Sequence, residues 1–121
     1  MMNIAYYLHR IYPYPPCWQL VAEVYERELG FVLPVYKELH EEKRYSRAKA
    51  FQLAIHQGDH GLHKVLTPED YSVVLMGSRR PVHAGIFYQG RILHATDSGV
   101  SYQDIWSIKD SYAWIEYWAK S

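Results

Sequence analysis

From Cys17 to Leu29 apolar residues recur every three or four positions, with acidic and basic residues between them, which predicts an amphipathic helix. Gly30 supplies its C-terminal stop. Just ahead, Pro13-Tyr14-Pro15-Pro16 holds the backbone extended and forbids helix, so Cys17 falls in the helix's first turn. A second helix, whole or broken, is expected from about Pro34 to Gln57. There Val35, Leu39, Ala50, Leu53 and Ala54 can share faces while Glu41, Glu42, Lys43 and Arg44 face water.

After Gly61 the pattern changes to short β-branched or aromatic runs: Val65-Leu66, Tyr71–Met76, Pro81–Tyr88, Arg91–Ala95 and Ala113–Ala119. Thr-Pro, Gly-Ser, Gln-Gly and Asp-Ser pairs bound them as turn signals. Helices first and strands afterwards predict an α+β fold, an antiparallel sheet covered by the N-terminal helix. In the last run Tyr112, Trp114, Glu116 and Trp118 alternate with Ala113, Ile115 and Tyr117, so both faces carry aromatic rings. Such a strand is expected to be buried or to form an interface. A sugar-stacking platform that also includes Trp106 is the alternative.

At 121 residues, 49% of them hydrophobic and 16% aromatic, the chain has the length of one domain and the material for a core. No repeat or Gly/Ser-rich linker divides it. Thirteen basic residues balance thirteen acidic ones, which leaves no global field to gather nucleic acid or an anionic membrane surface. Charge-free stretches such as Ile11–Ala22 fall short of the roughly 20 apolar residues that span a bilayer, so no transmembrane helix is expected. The basic residues of the first ten follow the apolar ones, the reverse of a secretory signal, and a cytoplasmic location is expected.

One cysteine excludes an internal disulfide and any Cys-rich zinc site. His56, His60 and His63, with Asp59 among them, have spacings a zinc ion could use, yet Gly58 and Gly61 argue against a helix there. A solvated turn is the expectation, with no metal. His9 and His40 are expected at the surface, as is the mixed charge run from Glu38 to Lys43.

The chemistry centres on Cys17. A thiol is a strong nucleophile only as thiolate, and the N–H groups and dipole of a helix's first turn favour that anion. The alternative is a buried small hydrophobe. A base is offered by Val82-His83-Ala84-Gly85-Ile86-Phe87-Tyr88-Gln89-Gly90-Arg91-Ile92-Leu93-His94-Ala95, which reads as a hairpin. If Gln89-Gly90 is a two-residue turn, residue numbers across the ladder sum to 179. His94 then lies opposite Gly85 and diagonal to His83 on one face, at about 7 Å, and Gly85 leaves room between them. A three-residue loop would put the rings on opposite faces unless a bulge restored the parity. The histidines could otherwise be buried strand residues satisfied by backbone carbonyls.

Cys17-Trp18-Gln19-Leu20-Val21 with Val24-Tyr25 and Glu28-Leu29-Gly30, then His83-Ala84-Gly85-Ile86-Phe87 and Arg91-Ile92-Leu93-His94-Ala95, resembles the NlpC-type (NlpC/p-sixty) cell-wall cysteine peptidases. The phage tail-assembly branch of that family is the nearest in pattern. The resemblance implies a papain-like fold over residues 1–121 and hydrolysis of peptidoglycan stem peptides between D-γ-glutamate and a diamino acid. It needs no cofactor. It assigns Cys17 as nucleophile, His83 as base and His94 as the residue orienting His83, with Tyr12 or Tyr14 assisting the oxyanion. Phage tail proteins are implied as further partners, and virion association or delivery to the cell wall as the route to substrate. The family usually has Asp before the cysteine and a small residue two after it, where this chain has Pro16 and Gln19. That departure makes two alternatives relevant: an assembly module that keeps the fold without efficient turnover, or an amidase or acyltransferase using the same three residues.

Overall fold

The computed structural model describes residues 1–13, 16–33, 61–79 and 83–120. Its elements are α1 (Ile4–Leu8), α2 (Pro16–Leu29), β1 (Leu62–Val65), β2 (Val73–Gly77), β3 (His83–Tyr88), β4 (Arg91–Thr96), β5 (Gly99–Asp104), α3 (Ile105–Ser111) and β6 (Trp114–Lys120). The six strands form one sheet in the order β1-β6-β2-β3-β4-β5, antiparallel at every step. The expected α+β class and antiparallel sheet are therefore present. The helix expected over Pro34–Gln57 and the charge run within it lie outside the described residues.

α2 begins at Pro16, whose missing N–H costs nothing at a first helical position, and Cys17 is its second residue. Its buried side is Cys17, Trp18, Leu20, Val21, Val24 and Tyr25, a single stripe at three- and four-residue spacing. The helix stops where Gly30 takes φ +63, so that the N–H groups of Gly30 and Phe31 turn back to the carbonyls of Glu26 and Tyr25, both at 3.1 Å.

Alternation along the strands divides the sheet into two faces. Leu75, Ala84, Ile86, Leu93 and Trp118 join the buried stripe of α2 in the larger apolar cluster. Val74, Met76 and Ile92 point the other way and meet Ile108 of α3 in a smaller one. Strand β6 lies inside the sheet, between β1 and β2, and its Trp114 and Trp118 pack with the larger cluster while Ile115 and Tyr117 pack with the smaller one, which accounts for the aromatic residues on both of its faces.

Strand β2 starts two residues later than the pattern of Tyr71–Met76 predicts. Tyr71 sits at φ +72 and donates its N–H to Phe87 O at 2.8 Å, while Phe87 N–H donates to Ser72 O at 2.9 Å. Two residues thus face one, a β-bulge with a left-handed first residue, a position usually given to glycine. The buried Tyr25 hydroxyl donates to Tyr71 O at 2.5 Å and ties the bulge to α2. Strand β1 falls at Leu62–Val65 and leaves Leu66 exposed, whereas Val65-Leu66 was the expected pair. Elements α1, β5 and α3 add to those expected.

Candidate active site

Strands β3 and β4 are joined by Gln89 and Gly90, at φ 48 and φ 82. Two successive left-handed residues make the tight turn whose twist suits a hairpin. The register follows: Gly85 pairs with His94, Ile86 with Leu93, Phe87 with Ile92 and Tyr88 with Arg91. His83 and His94 therefore stand diagonally on one face, as the two-residue turn requires. Their rings meet edge to face, with His83 Nε2 to His94 Nδ1 at 2.8 Å.

Gly85 makes this approach feasible. A methyl group there would come 2.8 Å from Leu93 O and 3.1 Å from the His94 Cβ. Both histidines are buried, at 8% and 5% exposure, and Tyr112 after α3 stacks on the His83 ring with centroids 5.6 Å apart and planes within 14°. Burial holds His94 below the ordinary imidazole value, opposed in part by its hydrogen bond to Gln103, so the ring is neutral at neutral pH.

That bond comes from β5. Ser101 lies opposite His94, and Gln103, two residues on and thus on the same face, meets His94 Nε2 with its Oε1 at 2.5 Å. His83, His94 and Gln103 form a hydrogen-bonded row across three neighbouring strands. Sequence reasoning missed Gln103 because β5 has no apolar run. The available signal was the Asp97-Ser98-Gly99 turn followed by alternation of Val100 and Tyr102 with Ser101 and Gln103.

Cys17 is 2% exposed, in the cluster that α2 shares with β3 and β4. The histidine rings leave the sheet on the α3 side, where Met76, paired with His83, and Ile92 also point. His83 is the first residue of β3, so the end of that strand separates the two settings.

Tyr12 is placed elsewhere. Its hydroxyl donates to Glu23 Oε1 at 2.7 Å, and Arg10 holds the other carboxylate oxygen at 3.1 Å. Burial first, and then the Glu23 carboxylate, raise the Tyr12 phenol well above its ordinary range. Glu23 lies six residues beyond Cys17, about 9 Å along the axis and on another side of the helix. Gln19 shares that side and lines, with Tyr12, Glu23 and Arg27, a groove of about 510 Å³. Tyr14, His40, His56 and His60 lie outside the described residues.

Models of known protein families, curated proteins and solved structures give no match to this chain.

Among the described residues no group of three His, Cys, Asp or Glu side chains could hold a metal ion. His63 is an exposed residue of β1 opposite Ala119, and His9 is exposed, with its Nδ1 2.8 Å from Ala5 O. No helix among the described residues is long and apolar enough to cross a membrane.

Proposed function

We propose that this chain is a cysteine peptidase of the NlpC type, papain-like in fold, acting on the D-γ-glutamyl–diamino acid bond of peptidoglycan stem peptides. The observation that carries the reading is the His83–His94 hydrogen bond at 2.8 Å, on strands against which the Cys17 helix packs. A general base needs a ring held in one orientation, and a second imidazole with Tyr112 stacked alongside supplies that.

With His83 Nε2 engaged by His94, Nδ1 is the nitrogen that takes the Cys17 proton. The thiolate attacks the scissile carbonyl, and the first-turn N–H groups of α2 face the oxyanion. Protonated His83 then gives its proton to the leaving amine and leaves a thioester on Cys17. Water, deprotonated by His83, attacks that thioester and releases the acid and the thiol. The route requires the Cys17 sulfur to reach His83 past the start of β3.

A second reading is an assembly module that binds phage tail proteins without turnover. The burial of Cys17 at 2% exposure and the engagement of Tyr12 by Glu23 favour it. The two readings separate on incubation of the protein and its Cys17→Ala variant with muropeptides of a diaminopimelate-type wall, with products read by mass spectrometry. Cleavage between the second and third stem residues, lost in the variant, is the expected result. Absence of cleavage, together with a Cys17 that alkylates no faster than a free thiol, would leave the assembly module.

A further inference from the structure

The contact between His83 Nε2 and His94 Nδ1 holds one proton, and either ring can own it. If His94 donates from Nδ1, then His83 Nε2 is an acceptor and its proton sits on Nδ1, where it cannot act as a base toward Cys17. If His83 donates from Nε2, its Nδ1 carries the lone pair. For two neutral rings the choice is made at the far end of the row, at His94 Nε2.

There the partner is Gln103 Oε1, 2.5 Å away, and a carbonyl oxygen only accepts. His94 must therefore carry its proton on Nε2. A neutral imidazole has one N–H, so His94 Nδ1 is the acceptor and His83 Nε2 the donor. Gln103 is half-buried on β5, diagonal to His94, in a register set by the pairing of His94 with Ser101.

We infer that Gln103 is a positioning residue that sets the direction of the His83–His94 hydrogen bond and so leaves His83 Nδ1 able to accept a proton. The inference about the two rings stands on the geometry of the row. Its bearing on Cys17 rests on the peptidase reading. The residue acts through two rings and touches neither thiol nor substrate.

The test uses the full chain with 15N-labelled histidine, as wild type, Gln103→Glu and Gln103→Leu, with each ring's tautomer read from long-range proton–nitrogen correlations. Wild type is expected to show Nε2–H on both His83 and His94. Gln103→Glu, which can only accept in its charged form, is expected to keep that pattern and so serves as the rescue variant. Gln103→Leu is expected to move the His94 population about fivefold toward Nδ1–H, the shift that an ordinary net hydrogen bond is worth. A wild-type His94 protonated on Nδ1, or tautomers unchanged in Gln103→Leu, would overturn the inference. Iodoacetamide alkylation of Cys17 in the same three proteins tests the reading beneath it. Tautomers that shift while alkylation rates stay equal would uphold Gln103 in the row and sink the peptidase.

Discussion

The two faces of the sheet differ in kind although the same strands build both. Toward α2, Ala84, Ile86, Leu93 and Trp118 join a continuous apolar cluster. Toward α3, β3 and β4 present His83 and His94 with Gly85 leaving room between them, flanked by a smaller cluster of Val74, Met76, Ile92 and Ile108. Along β3 and β4 residues of the main core, Ala84, Ile86 and Leu93, thus alternate with the histidine-bearing positions, because successive side chains point to opposite faces. The lesson is that stability and chemistry are interleaved one residue apart, and substitutions at adjacent positions should have different consequences.

The largest expected effect comes from the α2 side. Leu93 is fully buried, so Leu93→Ala should cost about 3 kcal/mol in urea unfolding through lost transfer free energy and the cavity left behind. Its neighbour His94 is the contrasting position. A loss below about 1 kcal/mol for Leu93→Ala would show that the α2 face is not the main core.

Gly85 is where the separation breaks down. It belongs to the histidine face, yet an added methyl group meets backbone Leu93 O at 2.8 Å and the Ile92 Cγ2 at 3.0 Å. Gly85→Ala should cost about 2 kcal/mol, the ordinary penalty for overpacking, and should also loosen the His83–His94 contact. Combined unfolding and imidazole NMR measurements would reveal both losses. A stable variant with unchanged imidazole resonances would mean that the hairpin yields more easily than its close packing implies.

The smallest effect is confined to a pH window. His94 is held below its ordinary value of 6.5 by burial, so the unfolded chain binds a proton there that the folded chain does not. Stability from His94 is therefore present above pH 6.5 and declines as pH falls from 6.5 toward the lower folded value. The urea midpoint, followed from pH 7.5 to 5, should fall more steeply in wild type than in His94→Gln. Parallel curves would indicate that the ring is solvated.

Much of this arrangement was legible from local chemistry. Gly30 marks the end of α2, and the Gln89-Gly90 pair sets the register that brings His83 to His94, whereas α2 starts at Pro16, one residue before the start expected at Cys17, because proline is tolerated at a first helical position. What escaped was weakly patterned. The five-residue α1 is too short for periodicity to show, and the edge strand β5, Gly-Val-Ser-Tyr-Gln-Asp, has no apolar run because it is paired on one side only. Gln103 was missed along with β5. The late start of β2 reflects Tyr71 in a left-handed conformation, which tertiary contacts from Tyr25 and Phe87 support against the residue's own preference. Tyr12 shows the limit of proximity in sequence: five residues from Cys17, its hydroxyl is nonetheless committed to Glu23.

The two-residue turn at Gln89-Gly90 has a consequence for how relatives of this chain can diverge. Because the ladder has period two, the hairpin behaves like a reading frame. One residue gained or lost there would be a frameshift in space, turning His94 toward α2 and the larger core and Leu93 toward the α3 side, unless a bulge elsewhere restored the phase. Length variation at this tip should therefore come in steps of two, or arrive with a compensating bulge.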